Sequence, residues 1–136
     1  MHYIDTSVIL SYINPNDVNH KSGRQLVEGS SNMVISSITQ LELRSVFART
    51  TELTEEAIEA YVQYVEEIGM ELKNTDFSRV IDRAMQIAFN VKMKTLDVLH
   101  LAACLEIGAR TLVSLDHDFE SRAQEIRNLG IKIITA

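Results

Sequence analysis

The sequence predicts an α/β domain built around a parallel β-sheet. Short apolar segments that fit strands alternate with amphipathic segments that fit helices, and this alternation is typical of parallel sheets. We find no internal repeat, linker or low-complexity stretch. A chain of 136 residues with 46% hydrophobic content is large enough to bury a substantial core. We therefore expect a single domain over residues 1–136.

The predicted strands are short apolar runs bounded by turn residues or by helix starts. They comprise residues 2–5, 33–36, 111–115 and 131–134, with a further short edge strand over 71–74. The apolar stretch in MHYIDTSVIL is too short to span a membrane and lacks the basic region and cleavage site of a signal peptide. We therefore expect it to contribute a buried strand, and we expect no membrane association.

The predicted helices lie between these strands and carry hydrophobic residues three or four positions apart. They begin with residues that favour a helix start, since Asp17, Thr54, Asp76 and Thr95 can each act as an N-cap. The predicted helices cover residues 7–13, 17–28, 54–69, 76–90, 95–108 and 119–129. A further helix begins at residue 39. Glycines that can end helices are Gly29, Gly69, Gly108 and Gly130.

Four acidic residues fall where predicted strands end or helices begin. Asp5 closes the first strand, and Asp116 directly follows the strand over 111–115. Glu42 lies in the first turn of the helix after the second strand, and Asp97 lies in the first turn of the helix before the fourth. Because sites in parallel α/β sheets form at the carboxyl ends of strands, we expect these carboxylates to converge at one edge.

Three of these acids also have a structural interpretation that requires no site. Thr39 and Glu42 have the spacing of a capping box, Thr39-x-x-Glu42. A helix dipole favours a carboxylate such as Asp97 in the first turn. Asp116 or Asp118 can cap the helix that follows. Each alternative explains one carboxylate, but none explains why all of them meet at one edge.

Asp5 is the hardest acid to explain structurally, because it ends an apolar strand and an unpaired buried charge is costly. Carboxylates that face one another repel, and their pKa values rise unless a positive charge lies among them. A divalent cation would supply that charge. An all-oxygen ligand set suits Mg²⁺ or Mn²⁺, whereas zinc is disfavoured because no His or Cys pair stands at ligand spacing.

Composition adds weaker indications. The formal net charge of −6 makes the whole chain a poor partner for nucleic acid, although a bound metal and a basic rim can offset acidity locally. Cys104 is the only cysteine, so an internal disulfide is impossible, which indicates a reducing cytoplasm. Its apolar neighbours predict a small core residue rather than a catalytic thiol.

Four runs occur in order along the chain: YIDTSVIL, VISSITQLEL, TLDVLHLAACLEIGA and LVSLDHDF. Together they resemble the PIN-domain family, most closely its VapC-type toxin branch, and the resemblance extends from Tyr3 to the last strand. It implies a three-layer α/β/α fold with a five-stranded parallel sheet. It also implies a Mg²⁺- or Mn²⁺-dependent endoribonuclease that is the cytoplasmic toxin of a toxin–antitoxin pair.

The resemblance matches Asp5, Glu42, Asp97 and Asp116, in that order, to the four acids of the family, so they are the expected catalytic residues. Asp5 and Asp97 are the expected main metal ligands. Asp116 would complete the metal site, and together with Glu42 it would position the attacking water or a second ion. A hydrolysed RNA strand would then carry a 5′-phosphate and a 3′-hydroxyl.

Further residues are expected to support these acids. Ser7 matches the small hydroxyl residue after the first acid, Ser114 matches the hydroxyl residue two positions before the fourth, and Asp118 is an additional carboxylate nearby. His100 lies one turn after Asp97, and we expect it to be a hydrogen-bonded histidine on a largely buried helix rather than a residue that acts directly on RNA.

Positive residues near the acids are the expected contacts for RNA phosphates. Arg44 follows Glu42, and Lys92 and Lys94 precede Asp97. The resemblance also implies a VapB-type antitoxin and a homodimer. On the predicted helix over 54–69, an apolar face can either line a groove for a partner helix or pack in the core; its residues are Ile58, Val62 and Val65, flanked by Tyr61 and Tyr64.

Three other functions can be weighed from the sequence. A phosphatase-like hydrolase would use Asp5 as nucleophile, but such enzymes generally carry a second acid two positions later, where this chain has Ser7. A receiver-type signalling domain is disfavoured because its adjacent acidic pair and its late lysine are missing. A non-catalytic binding module with the PIN fold is the remaining alternative, and the complete set of acids argues against it.

Overall fold

The computed structural model describes residues 1–136 and confirms the predicted α/β class, with a five-stranded, all-parallel sheet and helices on both of its faces. The strands are β1 (His2–Ile4), β2 (Met33–Ile35), β3 (Glu71–Leu72), β4 (Thr111–Val113) and β5 (Lys132–Ile134). The helices are α1 (Thr6–Ile13), α2 (His20–Glu28), α3 (Ser37–Thr50), α4 (Glu55–Glu67), α5 (Phe77–Val91), α6 (Thr95–Ile107), α7 (His117–Ser121) and α8 (Ala123–Asn128).

The sheet separates two hydrophobic cores. In β1, Tyr3 belongs to the core formed with α5, α6 and α8, whereas the next residue, Ile4, belongs to the core formed with α1 to α4. The same alternation repeats in β2 and β4, because successive side chains of a strand point to opposite faces. The central strands are buried on both faces and are therefore apolar throughout, which is typical of a three-layer α/β/α arrangement.

The strand order β3-β2-β1-β4-β5 places β1 at the centre of the sheet. From β1 the chain runs outward to β2 and β3 through α1 to α4, and it returns through α5 and α6 to β4 on the other side of β1. The order therefore reverses next to β1. In open parallel sheets a crevice for ligands forms at the carboxyl ends of the strands at such a reversal, so the ends of β1 and β4 are where a site is expected.

The start of α3 differs from the prediction in a way that affects Glu42. The helix begins at Ser37, with Ser36 as its N-cap, and the backbone N–H of Ser36 donates to Thr39 Oγ1 at 3.4 Å. Glu42 therefore lies in the second turn, and the predicted Thr39–Glu42 capping box is wrong. Because Glu42 does not cap the helix, its carboxylate is available for hydrogen bonds with Thr6 of α1 and His100 of α6.

Other helix boundaries were predicted with mixed success. Thr54 and Asp76 are confirmed as N-caps, accepting from the backbone N–H groups of Ala57 at 3.2 Å and Ser78 at 2.9 Å. The prediction of one continuous helix over 119–129 is wrong, because the helix is interrupted at Arg122, which separates α7 from α8.

Two predicted caps are wrong. The cap of α2 is Asn19, and Asp17 instead accepts from the Asn19 N–H at 2.8 Å, which orders the turn before the helix. The cap of α6 is Lys94 rather than Thr95. In both cases the predicted residue lies within two positions of the true cap, so the helices themselves are where the periodicity predicted them.

The apolar face of α4 lies in the core rather than in a groove. Ile58, Val62 and Val65 are all buried against the elements of the α1–α4 side, so of the two interpretations core packing is confirmed. Tyr61 remains partly exposed and stacks on Phe47 with ring centroids 5.5 Å apart. None of the helices combines the length and the apolar character that crossing a bilayer requires.

Candidate metal centre

Asp5 lies at the centre of the carboxyl edge of the sheet, directly after β1. Its backbone N–H donates to the carbonyl of Val113 at 2.9 Å, which continues the pairing of β1 with β4, and the residue is only 5% exposed. Ser7 and Ser114 both donate to the same carboxylate oxygen, Oδ2, at 2.6 and 2.9 Å. The other oxygen, Oδ1, has no donor from the protein. Asp5 therefore keeps one oxygen available for a ligand.

The two serines also fix the loop that follows β4. The backbone N–H of Leu115 donates to Ser7 Oγ at 3.1 Å, and that of Asp116 donates to Ser114 Oγ at 2.9 Å. Each hydroxyl thus donates to Asp5 and accepts from this loop. Ser7 and Ser114 therefore hold the loop that carries Asp116 in a fixed position relative to Asp5. Their expected supporting role in a reaction stays a prediction.

The protonation of Asp5 depends strongly on its surroundings. Burial raises the pKa of its carboxyl, because the charged form loses its hydration, and the charge of Glu42 raises it further. His100 and the hydroxyls of Ser7 and Ser114 lower the pKa but do not cancel the effect of burial. The net shift is upward, so the ionised form of Asp5 would be favoured by an additional positive charge.

Glu42 reaches the same edge from α3 and is held by two donors. His100 Nε2 lies 2.9 Å from Glu42 Oε1, and Thr6 Oγ1 donates to the same oxygen. Burial acts to raise the pKa of Glu42, but the hydrogen bonds from His100 and Thr6, together with the charges of His100 and Arg49, outweigh burial and lower the pKa. Glu42 therefore favours the ionised state, with Oε2 free of protein donors.

Three further carboxylates form an outer group. Asp97 lies in the first turn of α6, Asp116 is the N-cap of α7, and Asp118 lies in the first turn of α7. Each has an oxygen within 4.8 Å of an oxygen of the other two. Asp116 also accepts from the Asp118 N–H at 2.9 Å, so the capping interpretation of Asp116 is confirmed and is compatible with a place in this group.

The outer group is coupled to Asp5. The pKa of Asp97 is raised to about 6, first by burial and then by the charges of Asp116 and Asp5. Neither Asp5 nor any member of the outer group forms an ion pair with a lysine or arginine. No direct ion pair with a lysine or arginine therefore neutralises these carboxylates.

The four predicted acids are thus arranged as two neighbouring groups at one edge. Asp5 and Glu42 form the inner group with His100, and Asp97 and Asp116 form the outer group with Asp118. Within each group the potential ligand atoms lie within 4.8 Å of one another, which is close enough for a shared cation. The carboxylate oxygens of both groups are ligands that fit a hard divalent cation, whereas both ring nitrogens of His100 are engaged by Glu42 and Tyr3.

Basic residues line a cavity beside the outer acids. The cavity has a volume of about 200 Å³, and its wall includes Lys92, Lys94 and Arg122 next to Asp97. Lys92 also places its ammonium group 4.4 Å from the centre of the Phe89 ring.

Arg44, the third predicted contact for RNA, is engaged elsewhere. It forms a two-point ion pair with Glu59 of α4, with distances of 2.6 and 2.8 Å. Its contact with RNA stays a prediction, and it would require this pair to open.

Several residues of the site were not identified from the sequence. Thr6 follows Asp5 directly, and a hydroxyl residue next to the first acid was the signal that the sequence offered. His100 was predicted as a hydrogen-bonded core residue, but its contact with Glu42 was not foreseen, because the partners are 58 positions apart. Arg122 was missed because the break between α7 and α8, which places it at the cavity, has no clear signature in the sequence.

A parallel α/β domain with carboxylates gathered at the carboxyl edge of its sheet has the architecture of a metal-binding α/β protein. The family model for the PIN domain matches residues 2–125. The chain therefore belongs to the PIN domain family. No curated protein matches it in a sequence comparison.

Several solved structures share the fold of this chain. VapC20 of Mycobacterium tuberculosis, described as a sarcin-ricin loop cleaving toxin, is 14% identical, with a TM-score of 0.70 over 89% of this chain and 94% of that one. VapBC2 of Rickettsia felis, bound to a promoter DNA fragment, is 15% identical, with a TM-score of 0.69 over 98% of both chains. FitAcB of Neisseria gonorrhoeae is 18% identical, with a TM-score of 0.68 over 99% and 97%. At these identities, the likeness establishes the fold.

Proposed function

We propose that this chain is a Mg²⁺- or Mn²⁺-dependent endoribonuclease that hydrolyses RNA phosphodiester bonds. The observation that carries the proposal is the convergence of carboxylates from β1, α3, α6 and the β4–α7 connection, with no arginine or lysine paired to Asp5, Asp97 or Asp116. Membership of the PIN domain family and the cleaving toxin among the structural neighbours support the same activity.

In this proposal Asp5, Asp97 and Asp116 would hold the divalent cation between the inner and outer groups, directly or through water molecules. The bound cation would supply a Lewis acid for the phosphate and lower the pKa of water. Glu42 is ionised and has one free oxygen, so it would orient the attacking water. Asp118 adds negative charge to the outer group.

In this proposal the basic cavity beside Asp97 positions the RNA. Lys92, Lys94 and Arg122 would contact phosphates next to the scissile one, and these contacts carry no sequence information by themselves. Only 6% of the residues are aromatic, so stacking on bases contributes little to binding.

We further propose that the chain is the toxin of a VapBC-type pair, that it pairs with a VapB-type antitoxin, and that it forms a homodimer in the cytoplasm. The neighbours described as VapBC complexes support the antitoxin, and the lone cysteine agrees with a reducing compartment. Purification of the tagged chain from its native cells, followed by measurement of the mass of each complex, tests for a small bound antitoxin and for the homodimer.

The activity is tested with the purified protein and an end-labelled RNA in Mg²⁺ or Mn²⁺, with chelator added in a parallel reaction. We expect cleavage by the wild type and by Asp82→Asn, a control that changes an exposed acid on α5. Asp5→Asn should abolish cleavage, because it removes a charged ligand at the centre of the site. Cleavage by Asp5→Asn at the wild-type rate, or cleavage by the wild type that chelator does not reduce, would refute the proposal.

A further inference from the structure

A continuous series of buried hydrogen bonds runs from the start of α3 through β1 and α6 to Glu42. Ser36 Oγ lies 2.7 Å from Tyr3 Oη, Tyr3 Oη lies 2.7 Å from His100 Nδ1, and His100 Nε2 lies 2.9 Å from Glu42 Oε1. Tyr3 is fully buried and His100 is 1% exposed. The imidazole therefore bridges a tyrosine and a carboxylate without access to solvent or substrate.

The direction of these hydrogen bonds follows from what each atom can donate. The carboxylate of Glu42 can only accept, so His100 Nε2 carries a proton and donates it. Tyr3 can then donate its single proton to Nδ1 and accept from Ser36. This arrangement gives every hydroxyl and both ring nitrogens a partner, and it agrees with the lack of any buried unsatisfied side-chain polar atom.

The result is a fixed Glu42 carboxylate. Thr6 donates to the same oxygen as His100, so Oε1 has two donors from the protein while Oε2 has none. The two oxygens of Asp5 differ in the same way, since Ser7 and Ser114 donate to Oδ2 and no protein group donates to Oδ1. Each inner acid thus presents one oxygen that the protein leaves free.

We propose that His100 is a positioning residue for this nuclease, which acts by holding Glu42 through Nε2 while Tyr3 fixes the imidazole ring through Nδ1. The inference rests on the proposed function for the role of Glu42, but the geometry of the hydrogen bonds is independent of it. Polar groups that orient the residues of a metal site typically change affinity or activity by about 10- to 100-fold when they are removed.

Two substitutions of similar polarity separate this role from simple core packing. The amide of His100→Gln reaches about as far as Nε2 and can still donate to Glu42, whereas the amide of His100→Asn reaches only the position of Nδ1. We expect the glutamine variant to retain most of the turnover and the asparagine variant to lose about 10- to 100-fold in kcat, with little change in KM. Thermal melting establishes that both variants are folded.

Equal kcat values for the two folded variants, whether high or low, would overturn the proposal, because only one of them can reach Glu42. A readout independent of turnover is the nitrogen NMR spectrum of the imidazole in the wild type. We expect the proton on Nε2 and a bare Nδ1, and we expect Glu42→Gln to move the Nε2 signal while Glu66→Gln, on the exposed face of α4, leaves it in place.

A proton on Nδ1 with a bare Nε2, or an Nε2 signal that does not respond to Glu42→Gln, would also overturn the proposal. These spectra distinguish the two hypotheses. If the wild type cleaves no RNA but the spectra agree with expectation, the nuclease function fails while the contact that holds Glu42 stands. If RNA is cleaved and the spectra disagree, the positioning role fails alone.

Discussion

Asp97 and Asp116 bring carboxylate oxygens within 4.8 Å of each other, although one lies on α6 and the other caps α7 after β4. Neither has a lysine or arginine partner, and burial together with Asp116 and Asp5 raises the pKa of Asp97 to about 6. In the metal-free protein this arrangement opposes folding, because ionised carboxylates repel more strongly when the fold holds them together. A divalent cation would reverse the effect.

The raised pKa of Asp97 predicts that Asp97→Asn stabilises the metal-free protein at neutral and alkaline pH. The folded-state pKa of about 6 lies above the unfolded value near 3.9, so the folded protein holds this proton more tightly. The carboxyl of Asp97 therefore does not destabilise the folded protein below about pH 4. Its destabilising effect grows as the pH rises from 4 to 6 and is complete above pH 6. After allowance for solvent screening of this partly exposed group, we expect a gain of roughly 1 kcal/mol at pH 8.

Urea unfolding with chelator present, at pH 4, 5, 6 and 8, measures this gain directly. Asp82→Asn is the matched control, since it removes an exposed acid from α5 and should not alter the pH dependence. A clear loss of stability in Asp97→Asn at pH 8 would instead mean that its carboxylate serves mainly to stabilise the start of α6.

Ser114→Ala should impair both the fold and the reaction. The substitution removes one of two donors to Asp5 Oδ2 and the acceptor for the Asp116 N–H. We expect a loss of about 1–2 kcal/mol in unfolding free energy and a fall in turnover of about 10-fold or more. Ser45→Ala, on the exposed side of α3, is the control. Full turnover in the destabilised variant would show that Ser114 has a structural role only.

The basic cavity predicts a specific change in the salt dependence of RNA binding. In an Asp5→Asn background, which should bind RNA without cutting it, Lys94→Ala and Arg122→Ala should each weaken binding to different sequences by similar factors. Each should also reduce the slope of log affinity against log salt by about 0.7, the value for one phosphate contact on a single strand.

Fluorescence anisotropy at several salt concentrations measures these slopes. Lys132→Ala provides the control, because Lys132 begins β5 at the opposite edge of the sheet. If Arg122→Ala and Lys132→Ala gave equal slopes of log affinity against log salt, the basic cavity would be excluded as the site that contacts RNA phosphates.

The sheet and its acids could be predicted because the relevant signals are local. A strand buried on both faces is apolar throughout, and Asp5 ends such a strand where a charge needs a partner. Once the strands are placed, the geometry of a parallel sheet brings their carboxyl ends to one edge. The position of Asp5 and Asp116 on the sheet followed from these rules alone.

The parts that were missed depend on competition between neighbouring residues or on distant contacts. Ser36 and Thr39 both carry hydroxyls that suit a helix start, and the start at Ser37 uses both, which moved Glu42 into the second turn. The partner of Glu42 is a histidine on another helix, and no spacing in the sequence indicates that contact.

The most direct test of the central claim is the binding of Mn²⁺ to the purified protein, measured by calorimetry and by the melting temperature. We expect the wild type and Asp82→Asn to bind Mn²⁺ saturably and to melt several degrees higher in its presence, since a ligand at 100 times its Kd adds about 2.7 kcal/mol to the free energy of unfolding. Asp5→Asn should lose both effects. Undetectable binding by the wild type, or equal binding by Asp5→Asn, would contradict the claim that these carboxylates form a metal centre.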